Sequence, residues 1–372
     1  MTLPRLKSID IFRGLCMSWM ILAHLSGWWI RQEDFWIAIR INVILDPIGA
    51  SGFLFIAGVS IMLSHRKKLN RTKDSHQYSR RMIRNEYLLR AFFIFIIALI
   101  YNLSIAITLN DYTWVWSWFI LLTISISFII AWPLLRTSKL LRLIIAVVIW
   151  IANGFIFNSL KIFKGEFNIL GILFYILYNG DFLDHILPFF PFFLIGTVVG
   201  DIIYEIFNRT NLENRKRVFI RNLFVPSIII GTGLIITNIF FSGFLIRGSL
   251  PWLFYTIGID LVLFSVLLTF EIFGYMEKEK SYRFLFYYSF YSLTIYLGHN
   301  ILYFLFLNQL NLYIIWFFIA GAFIGLGLLL KVIYKKWGEK TSLKYHVSRL
   351  SIILASRIEN KRVIRKNLKL NT

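Results

Sequence analysis

The first apolar stretch of the chain, residues 8–29, contains three side chains that can do acid–base or anion-binding chemistry. These are Asp10, Arg13 and His24. In an α-helix, at about 100° per residue, His24 points about 20° away from Arg13, and Asp10 about 60° away from it. Lipid cannot solvate such groups, so they must face protein or a water-filled cavity. The spacing therefore predicts one spanning helix with a polar stripe along one side.

Each of these side chains allows two interpretations. His24 would lie about 22 Å along a helix that starts near residue 9, in the outer half of a membrane. An imidazole there can take a proton from an attacking hydroxyl or amine, or it can be a structural histidine bonded to a neighbouring helix. Arg13, near the inner end, can form an ion pair with Asp10 or hold a phosphate or carboxylate.

Two more polar residues stand in or beside later apolar runs. Asp46 opens the second run, where its carboxylate either caps the helix or accepts a hydrogen bond that orients the ring of His24. His299 lies towards the outer end of the ninth run, either as a functional partner or as an interfacial histidine with no role. The residues alone leave both alternatives open.

These residues are carried by an unusually apolar chain. Of 372 residues, 58% are hydrophobic and 18% aromatic, and the mean hydropathy is +0.68. Repeated apolar runs of about 20 residues indicate membrane spans. We therefore predict an all-α, polytopic integral membrane helical bundle with about ten transmembrane helices. The predicted spans are about 9–30, 45–63, 89–109, 116–135, 143–160, 186–206, 223–243, 253–274, 285–306 and 312–333.

The net charge of +21 reflects basic residues placed between the spans. With the N-terminus inside, the outer loops contain only five of the 40 Lys and Arg residues. The positive-inside rule then predicts a multi-pass protein of the cell membrane with both termini cytoplasmic, in contact with membrane lipids. Nucleic acid is not an expected partner, because no soluble fold presents a basic face. The five outer basic residues are Arg31, Arg40, Lys161, Lys164 and Arg247.

The inner loop 64–88 is densely basic. It is typical of a topology anchor at anionic headgroups. A second interpretation is that Arg80, Arg81, Arg84 or Arg90 also contacts a phosphorylated cofactor at the inner mouth.

The C-terminal segment is not a predicted span. Apolar residues recur at helical spacing among Lys and Arg, which favours an amphipathic helix on the inner surface. We therefore divide the chain into a membrane domain, 1–335, and a basic cytoplasmic tail, 336–372. The recurring residues are Leu343, Val347, Leu350, Leu354 and Ile358.

The chain contains no P-loop, GxSxG motif, dinucleotide fingerprint or zinc pattern. We therefore expect no metal. The one cysteine, Cys16, excludes an internal disulfide.

The run RLKSIDIFRGLCMSWMILAH resembles the opening of the heparan-α-glucosaminide N-acetyltransferase catalytic-domain family, part of the wider transmembrane acyltransferase superfamily. Three further stretches match in family order: GFLFIAGVSIMLS, DFLDHILPFFPFFLIGTVVGD and YYSFYSLTIYLGHN. Together they cover about residues 5–330. The resemblance implies transfer of an acetyl or other acyl group from cytoplasmic acetyl-CoA to a sugar or lipid-linked acceptor at the outer face.

Carried over by position, Asp10 and Arg13 match the inner acid–arginine motif and His24 matches the superfamily histidine. Asp46 matches the acidic start of the second span, and His299 the histidine late in the ninth. The eukaryotic heparan enzyme places its active histidine in the loop after the first span. Here that loop, IRQEDFWIAIRIN, has no histidine, so either His24 takes the role or the activity differs.

The sequence therefore predicts an acyl-CoA-dependent membrane acyltransferase. We expect His24, Asp46 and His299 at the catalytic centre, and Asp10, Arg13, Arg84 and Arg90 at the acyl-CoA. One rival is a transporter or flippase that uses the Arg13–His24 stripe as a translocation path. Another is a degenerate binding or scaffold protein, which would show no stabilisation by CoA.

Overall fold

The computed structural model describes residues 5–74, 79–180, 183–209, 212–276 and 283–370. This part of the chain is helical throughout and contains no β-strand; an isolated bridge joins Ile30 to Leu310. Nine of its helical segments are long and apolar enough to cross a membrane. The prediction of an all-α, multi-pass membrane bundle is thus confirmed.

The fifteen α-helices follow the predicted spans with several additions. In chain order they are α1 (Lys7–Trp29), α2 (Phe35–Leu45), α3 (Ala50–Asp74), α4 (Arg80–Leu109), α5 (Ile120–Leu134), α6 (Lys139–Lys161), α7 (Ile169–Tyr178), α8 (Ile186–Arg209), α9 (Leu212–Phe219), α10 (Val225–Ile239), α11 (Leu250–Ile272), α12 (Arg283–Phe290), α13 (Ser292–Gly298), α14 (Ile315–Trp337) and α15 (Leu343–Leu370).

The helices form two compact units. Residues 5–57 and 205–344 form the first, which contains α1 and is called the α1 unit. Residues 58–204 and 345–372 belong to the second, called the α5 unit. The boundaries fall inside three helices, α3, α8 and α15.

The α1 unit is built on close helix contacts and an aromatic core. Phe12, Phe55 and Phe264, from α1, α3 and α11, pack with ring centroids 5.6–6.0 Å apart. Helices α10 and α11 touch at Gly231 and Gly258, where an added Cβ on Gly231 would lie 2.9 Å from the Gly258 carbonyl oxygen. Small residues permit such backbone contact where association relies on packing.

The α5 unit has its core around α8. Phe189, Phe192 and Phe193 are almost fully buried. A Cβ on Gly58 of α3 would overlap the Phe193 carbonyl oxygen, so α3 and α8 lie in backbone contact. Asn102 of α4 donates hydrogen bonds to the carbonyls of Val115 and Ser117, which fixes the connection into α5.

Three predicted loops or spans take a different form. The basic loop 64–88 is mostly helix, because α3 continues to Asp74 and α4 begins at Arg80. The outer loop after the first span contains α2. The predicted span 285–306 is broken at Tyr291, and it continues as α13 and a 3-10 stretch from His299 to Phe304. The segment between the predicted spans 143–160 and 186–206 contains the short helix α7.

The C-terminal segment forms the predicted helix, α15. Of its recurring apolar residues, Leu343, Leu350 and Ile358 are exposed whereas Val347 is buried. Its place at the inner membrane surface, and the boundary at residue 335, remain predictions.

Candidate active site

The two histidines expected at the catalytic centre are neighbours. His24 of α1 and His299, just after α13, have ring centroids 5.0 Å apart. Trp28 contacts both rings, at 5.0 Å from His24 and 5.6 Å from His299, and is nearly parallel to the latter. Tyr303 closes the group with an edge contact on Trp28 at 5.4 Å. We call His24, His299, Trp28 and Tyr303 the histidine cluster.

Backbone bonds hold the two chain segments of this cluster together. The amides of Asn308 and Leu310 donate to the carbonyls of Trp28 and Trp29, at 2.9 and 2.8 Å. The indole of Trp29 donates to the Leu302 carbonyl at 2.8 Å. The end of α1 is therefore fastened to the segment that follows His299, and this fixes the distance between the two imidazoles.

The ring of His299 is oriented by its own helix. Nδ1 lies 2.6 Å from the Tyr296 carbonyl oxygen. Because a carbonyl only accepts, Nδ1 carries the hydrogen, and in the neutral ring Nε2 carries the lone pair. Nε2 is buried and has no hydrogen-bond partner in the described part of the chain. His299 thus presents an unused acceptor beside the exposed ring of His24.

A glycine lies near each histidine of the pair. Gly27, one turn after His24, and Gly298, directly before His299, would each meet nothing within 4 Å if they carried a Cβ. The two glycines therefore leave the backbone on either side of the pair uncovered.

Asp46 takes a partner that the sequence did not suggest. Its carboxylate forms an ion pair with Arg247, which also lies 5.6 Å above the ring of Trp252. Arg247 is close enough to His24 to act on it electrostatically. Asp46 thus compensates a cation whose charge acts on His24, and neither proposed role, helix cap or acceptor for His24, describes this contact.

Asp10 and Arg13 lie in a second polar group, at the other end of α1. The Asp10 carboxylate accepts from Arg5 at 2.8 Å and from the Ser289 hydroxyl at 3.1 Å. Arg13 lies 4.0 Å from the same carboxylate and 3.5 Å from the Ser289 oxygen. We call Arg5, Asp10, Arg13 and Ser289 the arginine cluster. Two guanidinium groups against one carboxylate leave it with net positive charge.

Two contacts position this end of α1. The Glu271 carboxylate accepts from the amides of Lys7 and Ser8, at 2.8 and 2.9 Å, so α11 caps the first turn of α1. At Gly14, an added Cβ would lie 2.4 Å from the Leu285 carbonyl oxygen. Helices α1 and α12 therefore touch directly beside Arg13.

The two clusters occupy one helix but do not touch. Eleven residues separate Arg13 from His24, which is about 16 Å along the axis. Both clusters belong to the α1 unit. A ligand that reached both would have to be long and negatively charged at one end.

Comparison with known protein families adds a decisive finding. Residues 5–236, more than half of the chain, match the family model described as heparan-alpha-glucosaminide N-acetyltransferase, catalytic. The chain belongs to this family. Among curated individual proteins none matches it. The predicted family is thus confirmed, and in general terms the chain is a multi-pass membrane acetyltransferase of the acetyl-CoA-using kind.

The other two arginines that we predicted at the acyl-CoA lie on α4, in the α5 unit of this acetyltransferase. Arg84 is exposed and bonds the neighbouring Asn85 at 3.5 Å. Arg90 is half-buried, and its Nε has no hydrogen-bond partner among the described residues. Six residues apart on a helix, the two point about 120° away from each other, so they do not form one site on α4.

Sequence reasoning missed two buried charged groups of this acetyltransferase. Arg142 of α6 is fully buried and forms an ion pair with Asp201 of α8, which also binds Arg66 at 2.6 Å. In the α1 unit, the carboxylate of Asp260 is fully buried on α11. The sequence did contain a signal for these groups, because Asp201 and Asp260 are acidic residues inside long apolar runs.

No group of three or more His, Cys, Asp or Glu residues is placed to hold a metal ion within the described ranges. The histidine cluster offers two imidazoles and no thiolate, fewer donors than a structural zinc site uses.

Proposed function

We propose that the chain transfers an acetyl or other acyl group from acyl-CoA at the inner face to a sugar or lipid-linked acceptor at the outer face. The observation that carries the proposal is the His24–His299 pair, with an unused buried acceptor on His299 and an exposed side chain at His24. Family membership supplies the reaction class, and the arginine cluster supplies a positive group on the same helix. The inward position of both chain termini is part of this proposal.

In the proposed reaction His24 removes the proton from the acceptor's hydroxyl or amine as it attacks the thioester carbonyl. His299 Nε2 can accept a hydrogen bond from one nitrogen of His24, which leaves the other nitrogen of His24 directed at the acceptor. The acceptor oxygen or nitrogen forms the new bond to the acyl carbon, the carbon–sulfur bond breaks, and the proton passes to the CoA sulfur. A transient acyl group on His24 is an alternative route to the same products.

The arginine cluster suits the phosphate end of acyl-CoA. Its net positive charge complements phosphate, and guanidinium groups bind phosphate in two-point contacts. The 16 Å that separate it from the histidine cluster, by the rise of α1, match a donor whose reactive thioester is far from its charged groups. For Arg84 and Arg90 of α4, contact with the acyl-CoA stays a prediction.

Asp46 is proposed to act through Arg247. Their ion pair fixes a cation near His24, and loss of the carboxylate would leave that cation uncompensated beside the imidazole. Asp46 therefore positions charge around the base.

The test is CoA release by the purified protein in liposomes, with acetyl-CoA and a panel of glycan acceptors. We expect His24→Gln to lower the rate by about 10²–10⁴, the usual contribution of a positioned base. His299→Gln should act more weakly and change the pH profile, because it removes the acceptor for His24. His346→Gln, on α15, is the matched control. Activity that survives in His24→Ala would end this mechanism.

A transporter or flippase is the second candidate, and one feature of the α1 unit favours it. The break between α12 and α13 follows directly after Ser289 of the arginine cluster, and broken helices often mark translocation sites. This candidate predicts acceptor movement across the liposome without CoA release. Measuring both in one preparation separates the two functions.

A further inference from the structure

Asp260, in the middle of α11, is the most unusual titratable group that the proposed reaction does not use. Its side chain is completely buried, and both carboxylate oxygens lack a hydrogen-bond partner in the part of the chain that the structure describes. A buried polar atom almost always has a partner, so an orphaned carboxylate needs an explanation.

Three helices enclose this carboxyl group. A Cβ added to Gly52 of α3 would lie 3.0 Å from Asp260 Oδ1, 3.1 Å from Cys16 Sγ and 3.3 Å from a ring carbon of Phe12. The acid and the thiol are therefore within about 6 Å of each other, since both lie near the same point. Glycine at position 52 is what permits this approach.

The three helices differ in the groups that they place near the acid. Helix α1 contributes Cys16 and Phe12, and α3 contributes Gly52. On α11 itself, Thr256 lies one turn away, is fully buried, and has a hydroxyl oxygen without a partner in the described residues. The nearest cation on α1, Arg13, lies one turn before Cys16 and acts on it electrostatically. Among the described residues, no cation forms an ion pair with Asp260.

A bare carboxylate in this setting would be very unfavourable. Transfer of an isolated charged carboxylate from water to an apolar interior costs several kcal/mol even after the protein relaxes. A bound proton removes the charge and gives the group a donor. In the structure neither oxygen of Asp260 is in hydrogen-bonding geometry with the Thr256 hydroxyl or the Cys16 thiol, so only loss of the charge relieves the cost of burial.

We propose that Asp260 is a proton-binding site in the apolar core of the α1 unit, and that its bound proton keeps α1, α3 and α11 packed together at this point. The ligand class is a single small cation, the proton. When the proton leaves, the charged carboxylate draws in water and the contact around Gly52 loosens. Cys16 and Arg13 are one turn apart on α1, so loosening at Cys16 disturbs the arginine cluster.

The first test detects the proton bound to Asp260 by infrared spectroscopy. Infrared spectra of the purified protein, in water and deuterium oxide, should contain the carbonyl band of a protonated carboxylic acid at neutral pH. The band should be lost in Asp260→Asn and kept in Asp46→Asn, because Asp46 is ion-paired. A wild-type spectrum without an Asp260-dependent band would overturn the proposal.

The second test uses Cys16, the one thiol in the sequence, as a reporter. Its labelling by a maleimide should rise with pH several-fold more steeply in the wild type than in Asp260→Asn. A charged Asp260 disfavours the neighbouring thiolate, which would make labelling rise less with pH in the wild type. A steeper rise in the wild type therefore cannot come from this charge effect and reports the loosened contact. Asp260→Leu gives the same comparison if the asparagine variant does not fold. Identical pH profiles would show that the proton does not control packing.

Sodium is the competing ligand. Labelling at high pH is therefore compared in sodium chloride and choline chloride. Equal labelling of Cys16 in the two salts supports the proton as the ligand of Asp260. Protection only in sodium would assign the site to that ion and overturn the proposal.

Discussion

Replacement of Gly14 by alanine tests whether the contact between α1 and α12 positions the arginine cluster. The new Cβ would lie 2.4 Å from the Leu285 carbonyl oxygen and 2.9 Å from the Leu285 Cβ. The first atom is backbone, so no side-chain rotation relieves the overlap. Gly27→Ala on the same helix is the matched control, because its Cβ would meet nothing within 4 Å.

The expected magnitude follows from two opposing effects. Alanine is about 1 kcal/mol better than glycine inside a helix, and both variants gain this. Overpacking costs about 1–3 kcal/mol, and only Gly14→Ala has this cost. The two variants should therefore differ in free energy of unfolding by about 1–3 kcal/mol, with Gly27→Ala at or above the wild type.

The assay is reversible unfolding in mixed detergent micelles, followed by tryptophan fluorescence. A second measurement is the KM for acetyl-CoA, which should rise in Gly14→Ala because α1 shifts beside Arg13. If Gly14→Ala is as stable as Gly27→Ala, α1 and α12 do not touch as described and the placement of the arginine cluster is wrong.

Three further predictions concern other parts of the chain. Asp201→Asn should destabilise the protein by about 3–5 kcal/mol in the same unfolding assay, because buried Arg142 loses its counter-charge. Arg66 lies at the more exposed side of the same carboxylate, so Arg66→Gln should lower the free energy of unfolding by about 1 kcal/mol or less. Glu271→Ala should cost about 0.5–2 kcal/mol by uncapping α1, and faster hydrogen exchange of the first two amides of that helix should report it. Hydrogen bonds from Thr113 hold the pKa of the Asp111 carboxyl below its ordinary value, so the turn that follows Asp111 should be most stable above the ordinary aspartate range. It should lose that protection as the pH falls through the lowered pKa, and Asp111→Asn should abolish the pH dependence of its amide exchange.

The sequence was sufficient for the family and for most of the spans, but not for the predicted span 285–306. Apolar runs about as long as a bilayer is thick identify spanning helices without any tertiary information. The sequence did not predict the break at Tyr291, because the hydropathy continues unchanged across it. At this break the Tyr291 hydroxyl donates to the Gly338 carbonyl at 2.6 Å, a contact 47 positions away in the sequence.

The site was predictable in its residues but not in its contacts. His24 and His299 were both recognised, yet 275 positions separate them, and no local pattern reports that they meet. The partner of Asp46 was missed for a related reason. Arg247 was interpreted only as a basic residue of an outer loop, whereas its charge is compensated by a carboxylate 201 positions away. Long-range pairs of this kind depend on how helices associate.

The segment after α14 decides where the protein can be truncated. The hydroxyl of Ser342 and the ammonium of Lys344 donate to the carbonyls of Phe290 and Ser289, both at 3.3 Å. These are the carbonyls at the interruption of the membrane helix, where the next turn cannot bind them. A deletion that begins at residue 336 would remove these two hydrogen bonds together with the tail. Truncations meant to remove only the basic helix should therefore keep the chain through Lys344.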